Sequence, residues 1–288
     1  MANAMFCYPN WVDHSDTVLS GGSWETALPL SNLQDQRLAR VARSTDDATA
    51  SAIVNLDFSN QKYIYVFAIP SSNLTIDALV KVSLSNNSDM SSPTYSTGWV
   101  KAYPVIYPSD MPLWDDPGTW DGYLAQDEYD LGETYGWTHV LTAPTNGRYC
   151  RVEIDDTANP DTYIDLGRLV IASGYQPIIN FEVGAGLGWQ TASTVSETDG
   201  GASYHNDRPR KRIFNCVLIY QSDDEAMVHM WTIQRMLGTS TQIFFVFDIS
   251  DTVHLPRRSF LATMRNLSPF SVKYGNYIDI PLSLVEEL

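Results

Sequence analysis

Short runs in which β-branched and aromatic side chains alternate with polar ones recur along this chain, and they constrain its fold more than any other feature. In the first 175 residues they include Ala52 to Leu56, Tyr63 to Ile69, Leu79 to Leu84, Arg148 to Ile154, Tyr163 to Leu166 and Leu169 to Ile171. Period-two alternation of this kind marks half-buried strands. Ser59-Asn60, Pro70 to Asn73, Ser85 to Ser88 and Thr145-Asn146-Gly147 read as the turns between them. No long amphipathic helix interrupts the series, so residues 1–175 are expected to form an antiparallel β-sandwich.

Charge divides the chain. It holds 18 basic and 34 acidic residues, a net of -16, and residues 1–205 account for all of that excess. Residues 206–288 are neutral overall. Such a shift marks a change of domain, and Tyr175-Gln176-Pro177 is the expected join, giving domains 1–175 and 176–288. The acidity argues against nucleic acid, whose phosphates need a basic surface. No apolar run is long enough to span a bilayer, so no membrane insertion is expected. The N-terminus lacks the basic flank and apolar core of a signal peptide. Cys7, Cys150 and Cys216 are too few and too scattered for a disulfide framework or a zinc cluster, and are expected as buried thiols.

The second domain mixes strand and helix. Ser222-Asp223-Asp224-Glu225 has the form of a capping box. Ala226, Met230, Ile233 and Leu237 then recur at helical spacing, and Gly238 ends the run, which predicts a helix over 223–237. Ile213 to Tyr220 and Gln242 to Phe247 read as flanking strands. Ile278 to Leu284 reads as a last strand, at an edge or with a bulge because Pro281 has no N–H to donate. The expected class is thus mainly β: an N-terminal sandwich, and a C-terminal β-sandwich with one packed α-helix.

Two resemblances add to this. Pro29 to Leu33 through Arg43-Ser44, Asn55-Leu56-Asp57, Val80 to Ser85, Arg148 to Val152 and Ile164 to Ile171 follow one another as in the discoidin-like, galactose-binding-like jelly roll. That resemblance covers roughly residues 15–174 and implies loops at one end that bind sugars or surfaces. Arg208 to Ile213, the capped helix, Phe244 to Asp248, Arg257 to Leu261 and Ile280 to Glu287 resemble the small domain of bacteriophage tail tube and distal tail proteins. Leu19 to Trp24, Leu28 to Leu33 and Ser96 to Val100 are similar to phage tail-tip proteins. This second resemblance implies a non-enzymatic virion protein of a long-tailed phage, made in the host bacterial cytoplasm and placed in the virion tail. Its partners would be copies of itself in a ring of six or three, the tail tube and other baseplate proteins.

Candidate binding residues lie in two places. Trp99 to Trp137 holds nine aromatic residues, and eight acids against the single base Lys101. Aromatic faces beside carboxylates suit sugars, the ring against C–H groups and the acid accepting from hydroxyls. Trp114, Trp120, Tyr123, Asp115 and Asp121 are the candidates for a glycan or a subunit contact. A stiff inserted loop packed on the sandwich or on a neighbour is the competing reading. Asp115-Asp116 with Asp121, or Asp127-Glu128 with Asp130, offers clustered oxygens for a structural calcium, without EF-hand spacing; solvated acids are the alternative. No metal ligand set and no cofactor are otherwise expected. Arg208, Arg210, Lys211 and Arg212 form the only basic run and are the candidate ring interface, pairing with an acidic face of the next subunit.

Catalytic signatures are missing. There is no nucleophile elbow and no H-E-x-x-H, and His14, His139, His205, His229 and His254 are isolated. Gly184 to Gly188 lacks nucleotide-loop spacing and reads as a flexible interdomain or hairpin loop. Two functions follow: a structural component of a distal tail or baseplate, or a carbohydrate-binding receptor protein anchored to the tail.

Overall fold

The computed structural model describes residues 3–107, 122–124, 126, 129, 136–273, 275 and 277–288. The chain forms two compact units, Met1–Gln176 with Phe244–Phe260, and Pro177–Ile243 with Leu261–Leu288. Strands dominate both, and the pairs described below are antiparallel.

The first unit is a β-sandwich hung on two long strands. Its elements are β1 (Met5–Cys7), β2 (Val18–Ser20), β3 (Ala42–Arg43), β4 (Ile53–Ser72), β5 (Leu79–Ser85), β6 (Pro93–Ser96), β7 (Val100–Lys101), β8 (Trp137–Asp155) and β9 (Asp165–Ala172). The first part of β4 pairs β8 from Ile53↔Glu153 to Asp57↔Tyr149, and β8 there also pairs β5. The last part of β4 pairs β8 from Val66↔Val140 to Ile69↔Trp137, and also pairs β9. Ser59-Asn60 and Thr145-Asn146-Gly147 are therefore not turns between strands. They lie inside β4 and β8, where the register shifts between Asp57 and Lys62 and Ser59 takes a φ of 61°. A bulge needs the same residue types as a turn, because both leave backbone groups off the ladder and tolerate left-handed dihedrals.

Alternation sets the core. Val54, Leu56 and Phe58 of β4, Val80, Val82 and Leu84 of β5, and Cys150, Val152 and Ile154 of β8 are buried. Burying each of the larger ones contributes on the order of 1.5–3 kcal/mol. β9 is covered on both faces from Leu166 to Ala172, and it carries the buried Arg168. Cys7, Cys150 and Cys216 are buried free thiols, and burial pushes the Cys216 thiol up to about 12.

An ion pair ties β4 to β8 beside the register shift. Arg148 donates to both carboxylate oxygens of Asp57 at 2.9 and 3.0 Å, and Asp57 also accepts from the Ser59 N–H at 2.8 Å. The Arg148 hydrogen bonds hold the Asp57 carboxyl below its ordinary 3.8. A carboxyl lowered by folding adds stability above its unfolded value and loses it as pH falls through the native one. Asp57→Asn is therefore expected to flatten the loss of stability below pH 3.8, read by urea denaturation along an acid series.

The second unit is a sheet with one packed helix. It contains β10 (Gly186–Thr191), β11 (Thr194–Glu197), β12 (Ser203–Asn206), β13 (Arg210–Gln221) and helix α1 over residues 223–237. The chain then contributes β14 (Ile243–Val246) and the one-turn helix α2 (Leu255–Arg258), and goes on to β15 (Ser259–Met264), β16 (Ser271–Val272) and β17 (Ile278–Glu286). β13 lies between β10 and β17, while β15 and β16 pair β17 on its other side. Residues 186–188 belong to strand β10, so the glycine run is not simply a loop.

Two local expectations change. β17 is interior, so the edge alternative falls, while its pairing with β13 does shift register between Leu218 and Gln221. Pro281 is accommodated because β16 pairs only Ile278 and Asp279, and β15 pairs only Leu284 to Glu286, leaving a gap opposite the missing N–H. The capping box is half formed. Ser222 Oγ accepts from the Glu225 N–H at 3.2 Å, but the Glu225 carboxylate accepts instead from the Ile178 N–H at 2.8 Å. The middle of α1, Ala226–Trp231, is π-helical. Ala226, Met230, Ile233 and Leu237 form its buried side.

In the first unit, β14 pairs β1 with Met5↔Val246, Phe6↔Phe245 and Cys7↔Phe244. The Phe6 and Phe245 rings lie 5.5 Å apart, and Phe245 and Phe260 5.7 Å apart. No charge alternation or turn signal marks this segment as part of the first unit.

Candidate functional site

The first unit carries a cleft of about 570 Å³ where β4 runs into β5 and β8 runs out. That size suits a small ligand. Asn73 to Leu79 form one wall, Asp155 to Asp161 another, and Gln126 and Tyr129 border it.

The walls are locked together by buried polar groups. Asp156 accepts from the Thr75 N–H at 3.0 Å, from the Thr75 hydroxyl, and from Asn159 Nδ2 at 2.8 Å. Asn159 Nδ2 also donates to the Asn73 carbonyl at 3.0 Å, while its Oδ1 accepts from the Asp161 N–H at 3.0 Å. Asn73 donates to Asp161 Oδ2 at 3.0 Å and accepts from the Asp165 N–H at 2.8 Å. Asp156 and Asn159 are almost fully buried. They are part of the scaffold, and networks satisfied in this way hold a loop in one conformation.

What the scaffold presents is a mixed surface. Asp77 and Asp161 are exposed, and Asp155 is half-buried with one oxygen taken by Thr49 Oγ1 at 3.0 Å. Ile76, Leu79 and Pro160 supply apolar wall. Tyr129 and Tyr103 both donate their hydroxyls to the Leu74 carbonyl, at 3.0 and 3.3 Å, with their rings edge to face at 5.6 Å. Burial pushes the Tyr103 phenol up. Exposed carboxylate acceptors beside a small apolar wall match a polyhydroxylated ligand better than a purely apolar one. Among the described residues, no group of three or more His, Cys, Asp or Glu is arranged to hold a metal ion. No described helix is long and apolar enough to cross a membrane.

The residues singled out from the sequence are distributed differently. Trp114, Trp120, Asp115 and Asp121 lie outside the described residues, as do the calcium candidates Asp116, Asp127, Glu128 and Asp130. Tyr123 is described. Lys101 Nζ stands 4.1 Å from its ring centroid, so one face of the ring already carries a cation from β7. Of the histidines, His139 bonds the Tyr95 hydroxyl at 2.6 Å and stacks on Trp137; burial lowers its pKa.

The basic run splits by function. Arg208 and Arg210 are exposed. Lys211 Nζ sits 3.7 Å from Glu287. Arg212 is folded inward, donating from Nε to Glu286 Oε1 at 2.9 Å, while its backbone N–H donates to Glu286 Oε2 at 2.8 Å. Its charge is thus committed within the unit.

Sequence reasoning passed over Asn73, Thr75, Asp156 and Asn159. The only local sign was the density of Asn, Asp, Thr and Pro in residues 155–161, the chemistry of braced loops.

No family profile and no curated protein sequence matches this chain. Several solved structures are similar to part of it. A family 32 carbohydrate-binding module from Clostridium perfringens, in complex with galactose, is 11% identical; the match covers 59% of this chain and 99% of that one, with a TM-score of 0.37. A fucose binding module of Streptococcus pneumoniae is 11% identical over 57% of this chain and 94% of that one, at a TM-score of 0.35. The lectin binding domain of lectinolysin, complexed with Lewis b, is 12% identical over 58% and 97%, at 0.37.

Proposed function

We propose that the chain is a non-enzymatic glycan-recognition protein whose first unit binds a sugar residue in the cleft between residues 73–79 and 155–161. One observation carries this: the cleft is polar at its rim and braced by buried Asp156 and Asn159, so its exposed acceptors are preset without a bound partner. Preset acceptors avoid the ordering cost of binding.

A glycan array followed by calorimetry tests it. Wild type is expected to bind a defined set of sugars, and Asp77→Ala to weaken binding roughly tenfold or more, the value of one hydrogen bond to a charged group. Absence of any bound glycan overturns the proposal. Loss of binding with Trp114→Ala or Trp120→Ala, while Asp77→Ala binds normally, moves the site to the aromatic segment. Release of free sugar would make the protein an enzyme.

A second reading is favoured by a different feature of the second unit. β10 to β13 form a two-stranded ribbon whose outer part, β11 and β12, is exposed along its whole length. Such an arm suits a structural virion protein of a long-tailed phage, set in the distal tail or baseplate as a ring of copies, with the sugar site turned to the host surface. Antibody labelling of phage particles that carry the protein, viewed by negative-stain microscopy, checks this. Label at the tail end away from the capsid supports it, and unlabelled particles with the protein free in the lysate reject it.

A further inference from the structure

The second unit carries two unpartnered surfaces of complementary character. The first is the ribbon. β10 pairs β13 from Gly186↔Asn215 to Thr191↔Arg210, and β11 and β12 continue it from Thr194↔Asn206 to Glu197↔Ser203. Ser193 Oγ bonds Asp207 Oδ1 and the Arg208 N–H at the joint between the two pairs, at 2.9 and 2.8 Å. Trp189, Val195 and Tyr204 project from it at 65%, 60% and 70% exposure. A lone two-stranded ribbon is marginal in water and gains stability by packing on something. At its base Trp189 pairs with Arg212 across the ribbon, and the exposed Arg210 and Arg208 follow two and four residues from Arg212 toward the joint; the acids Glu197 and Asp199 lie toward the tip, and Asp207 is engaged at the joint.

The second surface is the outer side of α1. Met227, Val228, Trp231 and Met236 are all exposed on it, Val228 at 62% and Trp231 at 54%, and Phe270 packs edge to face on Trp231. Its first turn adds the exposed carboxylates Asp223 and Asp224. The polar residues that interrupt it are His229, Thr232 and Arg235. An apolar patch next to two acids is the complement of a tryptophan next to two arginines, in both packing and charge.

The two surfaces are joined to opposite ends of β13. The arm begins at one end of β13 and α1 follows the other end, Arg210 to Gln221. At about 3.3 Å per residue a strand of that length puts the base of the arm roughly 35 Å from the first turn of α1, with its Asp223 and Asp224. The geometry points to a second copy of this chain as the occupant: the base of one arm, with Trp189, Arg208 and Arg210, seats on the α1 face of the next copy, against Trp231, Val228, Asp223 and Asp224. The contact is heterologous, so it propagates head to tail and closes a ring if its rotation allows. This deepens the assembly reading by naming both halves of the contact, and it is independent of the sugar cleft.

Two single variants of the full chain test it, Trp189→Glu and Trp231→Glu. Wild type is expected to form oligomers in analytical ultracentrifugation at micromolar concentrations, weakened by salt. Each variant alone is expected to sediment as a monomer, association falling about thirtyfold or more, as for a hot-spot tryptophan. The informative sample is their mixture. Trp189→Glu retains an intact helix face and Trp231→Glu an intact arm, so the two together form one good contact and stop at a dimer. That dimer also shows both variants to be folded. Monomeric wild type overturns the inference, as do oligomers indifferent to both substitutions. Monomeric variants that do not pair on mixing overturn the head-to-tail geometry. Oligomers with mixed-dimer rescue, but no label on virions, keep this contact and reject the tail placement.

Discussion

Glu286→Ala is expected to destabilise the second unit by about 3–5 kcal/mol, the usual effect of stranding one member of a buried ion pair. Glu286 closes the C-terminal end of β17 and Arg212 lies near the start of β13 beside it, with 7% and 13% of their side chains exposed. The carboxylate accepts from Arg212 Nε at 2.9 Å, from Nη2, and from the Arg212 N–H at 2.8 Å. Without it the guanidinium stays buried and loses its counter-charge. The paired replacement Arg212→Met with Glu286→Leu removes both charges and is expected to come near wild type, because desolvating two ions offsets most of their attraction. Urea unfolding of the wild type, the single and the double variant separates these outcomes. A single variant as stable as wild type would mean that Arg212 is not held as described.

Asp13→Ala is expected to have a comparable effect in the first unit, about 3 kcal/mol, and Asp13→Asn a much smaller one. Arg168 is only 1% exposed in its side chain, and Nη2 donates to Asp13 Oδ2 at 2.5 Å. Nη1 donates to the Leu33 and Asp35 carbonyls at 2.9 and 3.1 Å, which places the loss at the lower end of the range. Burial raises the Asp13 carboxyl above its ordinary value, against the pull of Arg168. Ionising Asp13 therefore costs free energy in the fold, and what the site needs most is an acceptor in place. Asparagine supplies one without the charge, whereas alanine leaves Nη2 without the acceptor it has in Asp13. Thermal unfolding of the two variants is the check; equal losses would show that the charge, not the acceptor, matters.

The parts of this fold that sequence made legible are those decided within a few residues. Val80, Val82 and Leu84 announce their strand by alternation, and Ser222 with Gly238 brackets α1. Ser59-Asn60 and Thr145 to Gly147 were misread as turns because bulge and turn chemistry are locally the same, and only the partner strand tells them apart. Pro281 looked like an edge signal because the gap between β15 and β16 is set by residues far along the chain. The cleft was less legible still. Asp156 and Thr75 are 81 positions apart, and neither segment shows alone that it closes on the other. Arg212 reads as one of a basic run, yet it pairs Glu286, 74 positions further along the chain, while Arg208 and Arg210 remain exposed.

The pairing of β1 with β14 bears on the order in which the molecule can be made. Met5 reaches its partner Val246 only after about 240 further residues have been synthesised. At ribosomal rates of about 5–20 residues per second that is a wait on the order of ten seconds or more. Strands β2 to β9 are all available by Ala172, so the sandwich can condense while Met5, Phe6 and Cys7 are still without their ladder. During that interval the nascent chain exposes an apolar edge strand, the kind of surface that recruits another chain. A ribosome stalled shortly after residue 176 would hold that edge open, and chaperone dependence should peak there and end once Phe244 to Val246 emerge.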